Sequence, residues 1–358
     1  MRAAVYVGQG QPVSIEDVTP SPPGPGDVVV EVGASGVCHS DLSVVNGYLR
    51  MPEGVVLGHE AAGRVVEVGR DVTRVHKGDR VIASFVPACG TCWFCERDQS
   101  NLCELEAPAS AAPRGVRSDG SAYLAFTGLG TFAEAFTASE HSVVRVDTDL
   151  PDEQLALIGC GVTTGLGAAL NTARIEPGSK VAVVGCGGVG QSIVQGARIA
   201  GAARIVAVDT VAMKREQALA FGATDAIDPS GGDAAKQVRR LAGGRGVDFA
   251  FEAVGLPDTI RDAWAMARKG GTVVVVGMSR VDAQVTLPAF GLFYDEKRIL
   301  GSKYGSAHVR RDFQRFVGLI EAGRLDVGAM VSRRIRLDEV NEAFHAMEAG
   351  QVIRSVIA

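Results

Sequence analysis

The stretch that decides the fold begins Gly159-Cys160-Gly161-Val162-Thr163-Thr164-Gly165. It passes through Val181-Ala182-Val183-Val184-Gly185-Cys186-Gly187-Gly188-Val189-Gly190 and closes with Ile205-Val206-Ala207-Val208-Asp209. The middle piece reads as a buried strand, a Gly-rich turn and the start of a helix, and Asp209 ends a second apolar run. That is the order of parts in a βαβ dinucleotide site. Gly185 permits the tight turn, Gly187 lets the backbone approach a pyrophosphate, and Gly190 lets the helix lie close to the strand. Gly188 and Val189 open that helix, whose free N–H groups and positive dipole end attract phosphates. Asp209 stands about 20 residues beyond the last glycine, where a carboxylate accepts hydrogen bonds from both ribose hydroxyls. Its charge repels a 2′-phosphate, and Thr210-Val211-Ala212 offers no arginine to bind one. NAD is expected rather than NADP.

Working outward, 358 residues suffice for two domains of ordinary size. A net charge of −5 gives no support for nucleic-acid binding. No apolar run approaches the roughly 20 residues a membrane span needs. Met1-Arg2-Ala3-Ala4-Val5-Tyr6 enters a strand without a signal-peptide core, so a cytoplasmic protein with no membrane partner is expected. Seven cysteines in a reducing compartment argue for metal ligands over disulfides.

Residues 1–35 alternate short β-rich runs with Pro/Gly turns, as in an all-β unit. Gly36-Val37-Cys38-His39-Ser40-Asp41 and Gly58-His59-Glu60 follow. A thiolate and an imidazole suit zinc, and Cys160 adds a third ligand. Three protein ligands with one open position describe a catalytic zinc site. Cys89-Gly90-Thr91-Cys92-Trp93-Phe94-Cys95, with Cys103 beyond, can close an all-cysteine structural zinc site. An iron–sulfur cluster is the competing reading, disfavoured because the remaining Cys-Pro pattern of ferredoxins is absent. Cys186, in the phosphate turn, reads as inert.

On these motifs the chain resembles the zinc-containing medium-chain alcohol dehydrogenases along nearly its full length, from Gly36–Asp41 to Ile353-Arg354. The resemblance implies an α/β protein with a doubly wound parallel Rossmann domain at 162–300. A discontinuous, β-rich, GroES-like catalytic domain would take 1–161, with its return segment at 301–358. It implies Cys38, His59 and Cys160 as catalytic zinc ligands and Glu60 as a transient ligand behind the metal. Asp41 would orient His59, and Ser40 would hydrogen-bond the reacting oxygen. Thr164, Val276 and Met278 would line the nicotinamide pocket, Lys214 would sit near the adenosine ribose, and His39 and Arg354 would approach the pyrophosphate. The implied cofactors are two zinc ions per subunit and NAD. The implied reaction is reversible hydride transfer between an alcohol and NAD, in a homodimer joined near Val281–Phe293.

Two departures from the family pattern bear on mechanism and substrate. Ser43 stands five residues after Cys38, where many relatives end a proton relay on histidine; a serine does not titrate near neutral pH. Leu49 and Ala107 stand where thiol-adduct oxidases carry an acid and an arginine. Leu49, Phe85, Phe126 and Met278 point to an apolar pocket for a medium-sized or aromatic primary alcohol. Arg114 and Arg117, in the long Glu104–Gly130 loop expected at the active-site entrance, keep a mycothiol- or glutathione-adduct formaldehyde dehydrogenase as the alternative. A polyol dehydrogenase would usually carry Glu in place of Cys160. An inactive zinc- and NAD-binding relative would have lost ligands that here are intact. Towards the C-terminus, helices are expected over Asp258–Arg268 and His308–Ala322, a strand over Arg333–Leu337, and a further helix N-capped by Asp338.

Overall fold

The computed structural model describes residues 1–358, which divide into two compact units, 161–307 and 1–160 with 308–358. In the first unit six strands form one parallel sheet: β1 Lys180–Val184, β2 Arg204–Val208, β3 Asp225–Ile227, β4 Val247–Glu252, β5 Ala267–Val275 and β6 Arg298–Gly301. Their order is β3-β2-β1-β4-β5-β6, the doubly wound arrangement with its crossover between β1 and β4. β1 and β2 carry Val, Ile and Ala on both faces, which suits strands covered by helices on each side. The covering helices include α1 Gly188–Ile199, α2 Ala212–Ala220, α3 Ala234–Leu241 and α4 Pro257–Met266. Asp233 starts α3 by accepting the Lys236 N–H at 2.9 Å, and Pro257 opens α4 where no N–H is needed. The helix expected to reach Arg268 stops at Met266, because Ala267 already pairs with Val247 in the sheet. The unit extends to Ala307 rather than ending near 300: β6 completes the sheet, and the turn at Lys303–Ser306 packs on the helix Thr163–Gly167.

The second unit is β-rich. Arg2–Tyr6, Ser14–Pro20, Pro113–Arg117, Ala122–Ala125 and Val55–Val56 close a small barrel. A seven-stranded sheet is built on Asp27–Val37. The last segment returns to it: Arg354–Ile357 pairs antiparallel with Asp27–Val37, placing Ser355 opposite Val37. This pairing makes the unit discontinuous in sequence. Residues 104–130 are not an open loop, since they hold the helix Glu106–Ala111 and two of the barrel strands. Asp338 is not an N-cap. It lies inside the turn Leu337–Glu339 and pairs with Arg2, while Glu339 accepts the Arg336 N–H at 2.8 Å.

One continuous helix, Asp152–Thr172, is long and apolar enough to meet the length and composition of a membrane span. However, 78% of its apolar window is buried inside the protein. It is a core helix, and its hydropathy reflects that burial.

Candidate active site

Cys38 follows the strand Asp27–Val37 and stands at the N-cap position of the helix His39–Val45. Asp41, in the first turn, reaches back so that Oδ2 accepts the Cys38 N–H at 3.2 Å. Its other oxygen accepts the Gly58 N–H at 2.9 Å and lies 3.2 Å from His59 Nδ1. One fully buried carboxylate thereby ties the Cys38 arm to the His59 arm. With Nδ1 donating to Asp41, His59 Nε2 presents its lone pair, and this atom is buried without a partner. Cys160 arrives from a π-turn, Ile158–Val162, where an extra residue per turn swings side chains off the helical repeat. Gly159 permits the approach, because a Cβ there would lie 2.8 Å from the Ala83 carbonyl.

The ligand atoms of Cys38, His59, Glu60 and Cys160 lie within 4.8 Å of one another. Two thiols, an imidazole nitrogen and an orphaned carboxylate oxygen, Glu60 Oε1, form a donor set that fits zinc. The cluster polarises itself. The Cys160 contact, ahead of opposing burial, holds the Cys38 thiol well below its usual range, and the same contact with burial raises Cys160. Burial works against a charged His59, yet Asp41 and Cys38 hold it well above the ordinary histidine value. Ser40 Oγ lies 3.7 Å from Cys38 Sγ. Phe126 and Phe85 pack edge-on against the His59 ring, with centroids at 5.4 and 5.8 Å. Leu49 packs against the apolar cluster that contains Phe126.

Arg354 lies close to the candidate metal cluster. It is 5% exposed and its guanidinium pairs with Glu60 behind that cluster. Burial raises the Glu60 carboxyl above its usual range against the pull of Arg354. Gly36 makes room for the pair, since a Cβ there would lie 2.3 Å from Glu60 Oε2. His39, at the start of its helix, is exposed.

The second metal cluster is Cys89, Cys92, Cys95 and Cys103, whose sulfurs also lie within 4.8 Å of one another. All seven cysteines are free of disulfides. Cys89 Sγ accepts the Thr91 and Cys92 N–H groups at 3.5 and 3.3 Å. Burial opposes ionisation there, but these donors bring Cys89 down to about 6, whereas burial pushes Cys95 up to about 12. Four thiols with backbone donors already on sulfur suit a closed tetrahedral zinc site. Arg310 anchors the lobe through the Ala88 carbonyl and His141.

The nucleotide turn has the geometry its glycines imply. Gly185 has φ +87°, in the left-handed region. A Cβ on Gly190 would lie 1.8 Å from the Gly185 carbonyl, whereas one on Gly187 would meet nothing within 4 Å, leaving a cradle for a ligand. Gly188, Val189 and Gly190 form the first turn of α1. Asp209 accepts the Cys186 and Val211 N–H groups at 2.7 and 2.8 Å, fixing its carboxylate beside this turn. Lys214 stands on α2, and its carbonyl accepts from Gln191 at 2.9 Å. Val276 donates its N–H to the Glu252 carbonyl at 2.8 Å, Met278 is half exposed, and Thr164 is half-buried in the helix Thr163–Gly167. Cys186 is fully buried and pushed up to about 12 by burial, as an inert thiol should be.

The sequence reading missed Glu252 and Arg215. Glu252 is fully buried and accepts the Val254 and Gly255 N–H groups at 2.8 and 2.7 Å beside the turn. Arg215 folds back onto the Asp209 carbonyl at 2.8 Å. Its position on the first turn of α2 was the available signal.

Two family models match the chain. Residues 24–148 match the alcohol dehydrogenase GroES-like domain and residues 188–322 the zinc-binding dehydrogenase domain. A putative alcohol dehydrogenase D of Mycobacterium tuberculosis is 42% identical, with 99% of this chain and 98% of that protein covered. An NDMA-dependent alcohol dehydrogenase of Amycolatopsis methanolica is 40% identical over the same shares. An S-(hydroxymethyl)glutathione dehydrogenase of Synechocystis is 38% identical, with 99% of each chain covered. Among solved structures, benzyl alcohol dehydrogenase from Acinetobacter calcoaceticus superposes with a TM-score of 0.93 at 29% identity, covering 99% of this chain and 98% of that one. The chain therefore belongs to the zinc-containing medium-chain alcohol dehydrogenase family and is an oxidoreductase that works with zinc and NAD.

Proposed function

We propose that this alcohol dehydrogenase acts on primary alcohols of medium size or with an aromatic group, and on the corresponding aldehydes in reverse. The observation that carries this reading is the apolar wall at the metal cluster, where Phe85 and Phe126 stand edge-on to His59 and Leu49 packs behind. Cys38, His59 and Cys160 would hold the catalytic zinc with Glu60 in reserve, and the four-cysteine lobe would hold the structural one. Zinc supplies a Lewis acid that lowers the pKa of a bound alcohol, and NAD accepts the hydride. Asp41 keeps His59 in the tautomer that offers Nε2. Ser40 Oγ takes up the hydrogen bond of the substrate hydroxyl, and with serine at position 43 the proton either passes directly to water or leaves by a relay that ends elsewhere.

The thiol-adduct alternative needs a cation for an anionic substrate. Arg117 is held by Glu16 through two contacts of 2.9 Å, and Arg114 is 8% exposed beside Asp27 at 3.5 Å. Both arginines therefore have structural partners, which favours the apolar reading. A homodimer joined near Val281–Phe293 is supported by the exposure of Val281, Phe290 and Phe293. A tetramer by light scattering would contradict it. A cytoplasmic location completes the proposal.

NADH formation from NAD+ with alcohols from ethanol through octanol to benzyl alcohols, and with formaldehyde plus glutathione or mycothiol, tests the substrate. Activity rising with apolar size is the expected result, and activity confined to formaldehyde with a thiol would overturn the proposal. Cys160→Ser should abolish turnover while NADH binding persists; full activity would remove Cys160 from the ligand set.

A further inference from the structure

The end of β2 carries a charge arrangement that the dinucleotide reading does not use. Both carboxylate oxygens of Asp209 are engaged by backbone N–H groups, which fixes the side chain beside the Gly-rich turn. Arg215, on the first turn of α2, reaches back with Nη1 to donate to the Asp209 carbonyl at 2.8 Å. The same nitrogen lies 3.1 Å from Asp228 Oδ2. Asp228 follows β3, which adjoins β2, and its other oxygen accepts the Ser230 N–H at 2.9 Å. The Arg215 and Asp228 side chains are 20% and 39% exposed, so solvent and a ligand phosphate can reach them. Lys214 adds a second cation on the same turn.

We propose that Asp209, Arg215 and Asp228 form one cofactor discriminator. Arg215 is a latent 2′-phosphate ligand, and Asp228 is the positioning residue that keeps its guanidinium engaged. This rests on the reading that Asp209 faces the adenosine ribose. A ribose 2′-hydroxyl is neutral and is accepted by Asp209. A 2′-phosphate at the same place meets two carboxylates, and the guanidinium that could offset them is held by one of the two. Removing the Asp209 charge alone leaves Arg215 paired with Asp228. Removing both leaves a guanidinium whose planar fork matches phosphate, with Lys214 beside it and no anion competing. The selection of NAD then has two layers, repulsion by Asp209 and withdrawal of Arg215 by Asp228.

The test is equilibrium titration of NADH and NADPH, by fluorescence, into the zinc-loaded full-length protein. Asp209→Ser should move the NADPH-to-NADH affinity ratio about tenfold toward NADPH, a little more than one close charge contact is worth when bulk water screens it. Adding Asp228→Asn should move it roughly tenfold further. Asp228→Glu in place of Asn should hold the ratio at the Asp209→Ser value. Arg215→Ala in the double variant should erase the second gain. In turnover with NADP+ the double variant should change the cofactor KM far more than kcat. Should Asp209→Ser fail to fold, Asp209→Asn, which keeps an acceptor for one of the two N–H groups, replaces it throughout. Equal ratios for the single and double variants, or a gain that survives Arg215→Ala, would overturn the proposal. A wild-type protein with no preference for NADH would instead overturn the NAD reading beneath it.

Discussion

Replacing Asp41 with asparagine is expected to empty the Cys38–His59–Cys160 site while the four-cysteine lobe stays loaded. Asp41 is fully buried and receives three donors: the Cys38 N–H, the Gly58 N–H and His59 Nδ1. An asparagine oxygen in the Oδ1 position keeps the last two, but its NH2 group then faces the Cys38 N–H. Each of these two facing donors left unsatisfied costs roughly 1–3 kcal/mol, and this should appear as lowered stability of the β-rich unit. Loss of the carboxylate behind a ligating imidazole typically lowers metal affinity about 10–100-fold, or about 1.4–2.7 kcal/mol. Zinc counted by elemental analysis after titration with a competing chelator separates the two effects. At a chelator concentration that leaves the wild type with two zinc ions, the variant should retain one. Two retained ions with wild-type chelator resistance would refute the claim that the Asp41 charge supports His59 as a ligand.

Three further outcomes follow from the same geometry. Gly190→Ala places a Cβ 1.8 Å from the Gly185 carbonyl, so NADH binding should fall steeply while both zinc ions remain; unchanged NADH affinity would show that α1 need not approach the turn so closely. Arg354→Ala strands the buried Glu60 carboxylate and should cost about 3–5 kcal/mol in urea unfolding of the β-rich unit, largely recovered when Glu60→Gln is added. A loss near the roughly 1 kcal/mol of an exposed pair would contradict the burial argument. Burial pushes Asp248 up, but the Lys180 N–H and Arg268 outweigh it and hold its carboxyl below the ordinary range. A folded-state pKa depressed in this way contributes stability above the unfolded value of about 3.9 that is lost as pH falls through the folded value. The Tm deficit of Asp248→Asn should therefore be full at neutral pH and shrink in acid, and a deficit independent of pH would refute the assignment.

Much of this protein is readable from sequence because the determining physics is local. A left-handed φ at Gly185, an absent Cβ at Gly187 and Gly190, and an unbroken Val/Ala run on β1 are all written into single residues or short runs. The two donor clusters that could hold a metal were legible for a related reason. Thiols and imidazoles that could converge are few in this chain, and zinc chemistry admits few ways to combine them. The carboxylate partners of the arginines were not legible. Arg354 went to Glu60, Arg117 to Glu16, Arg114 to Asp27 and Arg215 to the Asp209 carbonyl and Asp228. A guanidinium on a long stem sweeps a wide volume, and its resting place is set by whichever carboxylate the packing has also buried. That carboxylate lies 294 residues away for Arg354 and 101 for Arg117. Asp338 and residues 104–130 were misread for the same reason: a turn preference was settled by pairing with distant chain. Sequence alone pointed to the fold, to the two cysteine-containing clusters that could hold metal and to the Gly-rich turn, because steric and coordination rules act within a few bonds. Only the tertiary structure decided which charges neutralise one another, because Coulomb pairing acts through space between segments the sequence keeps far apart.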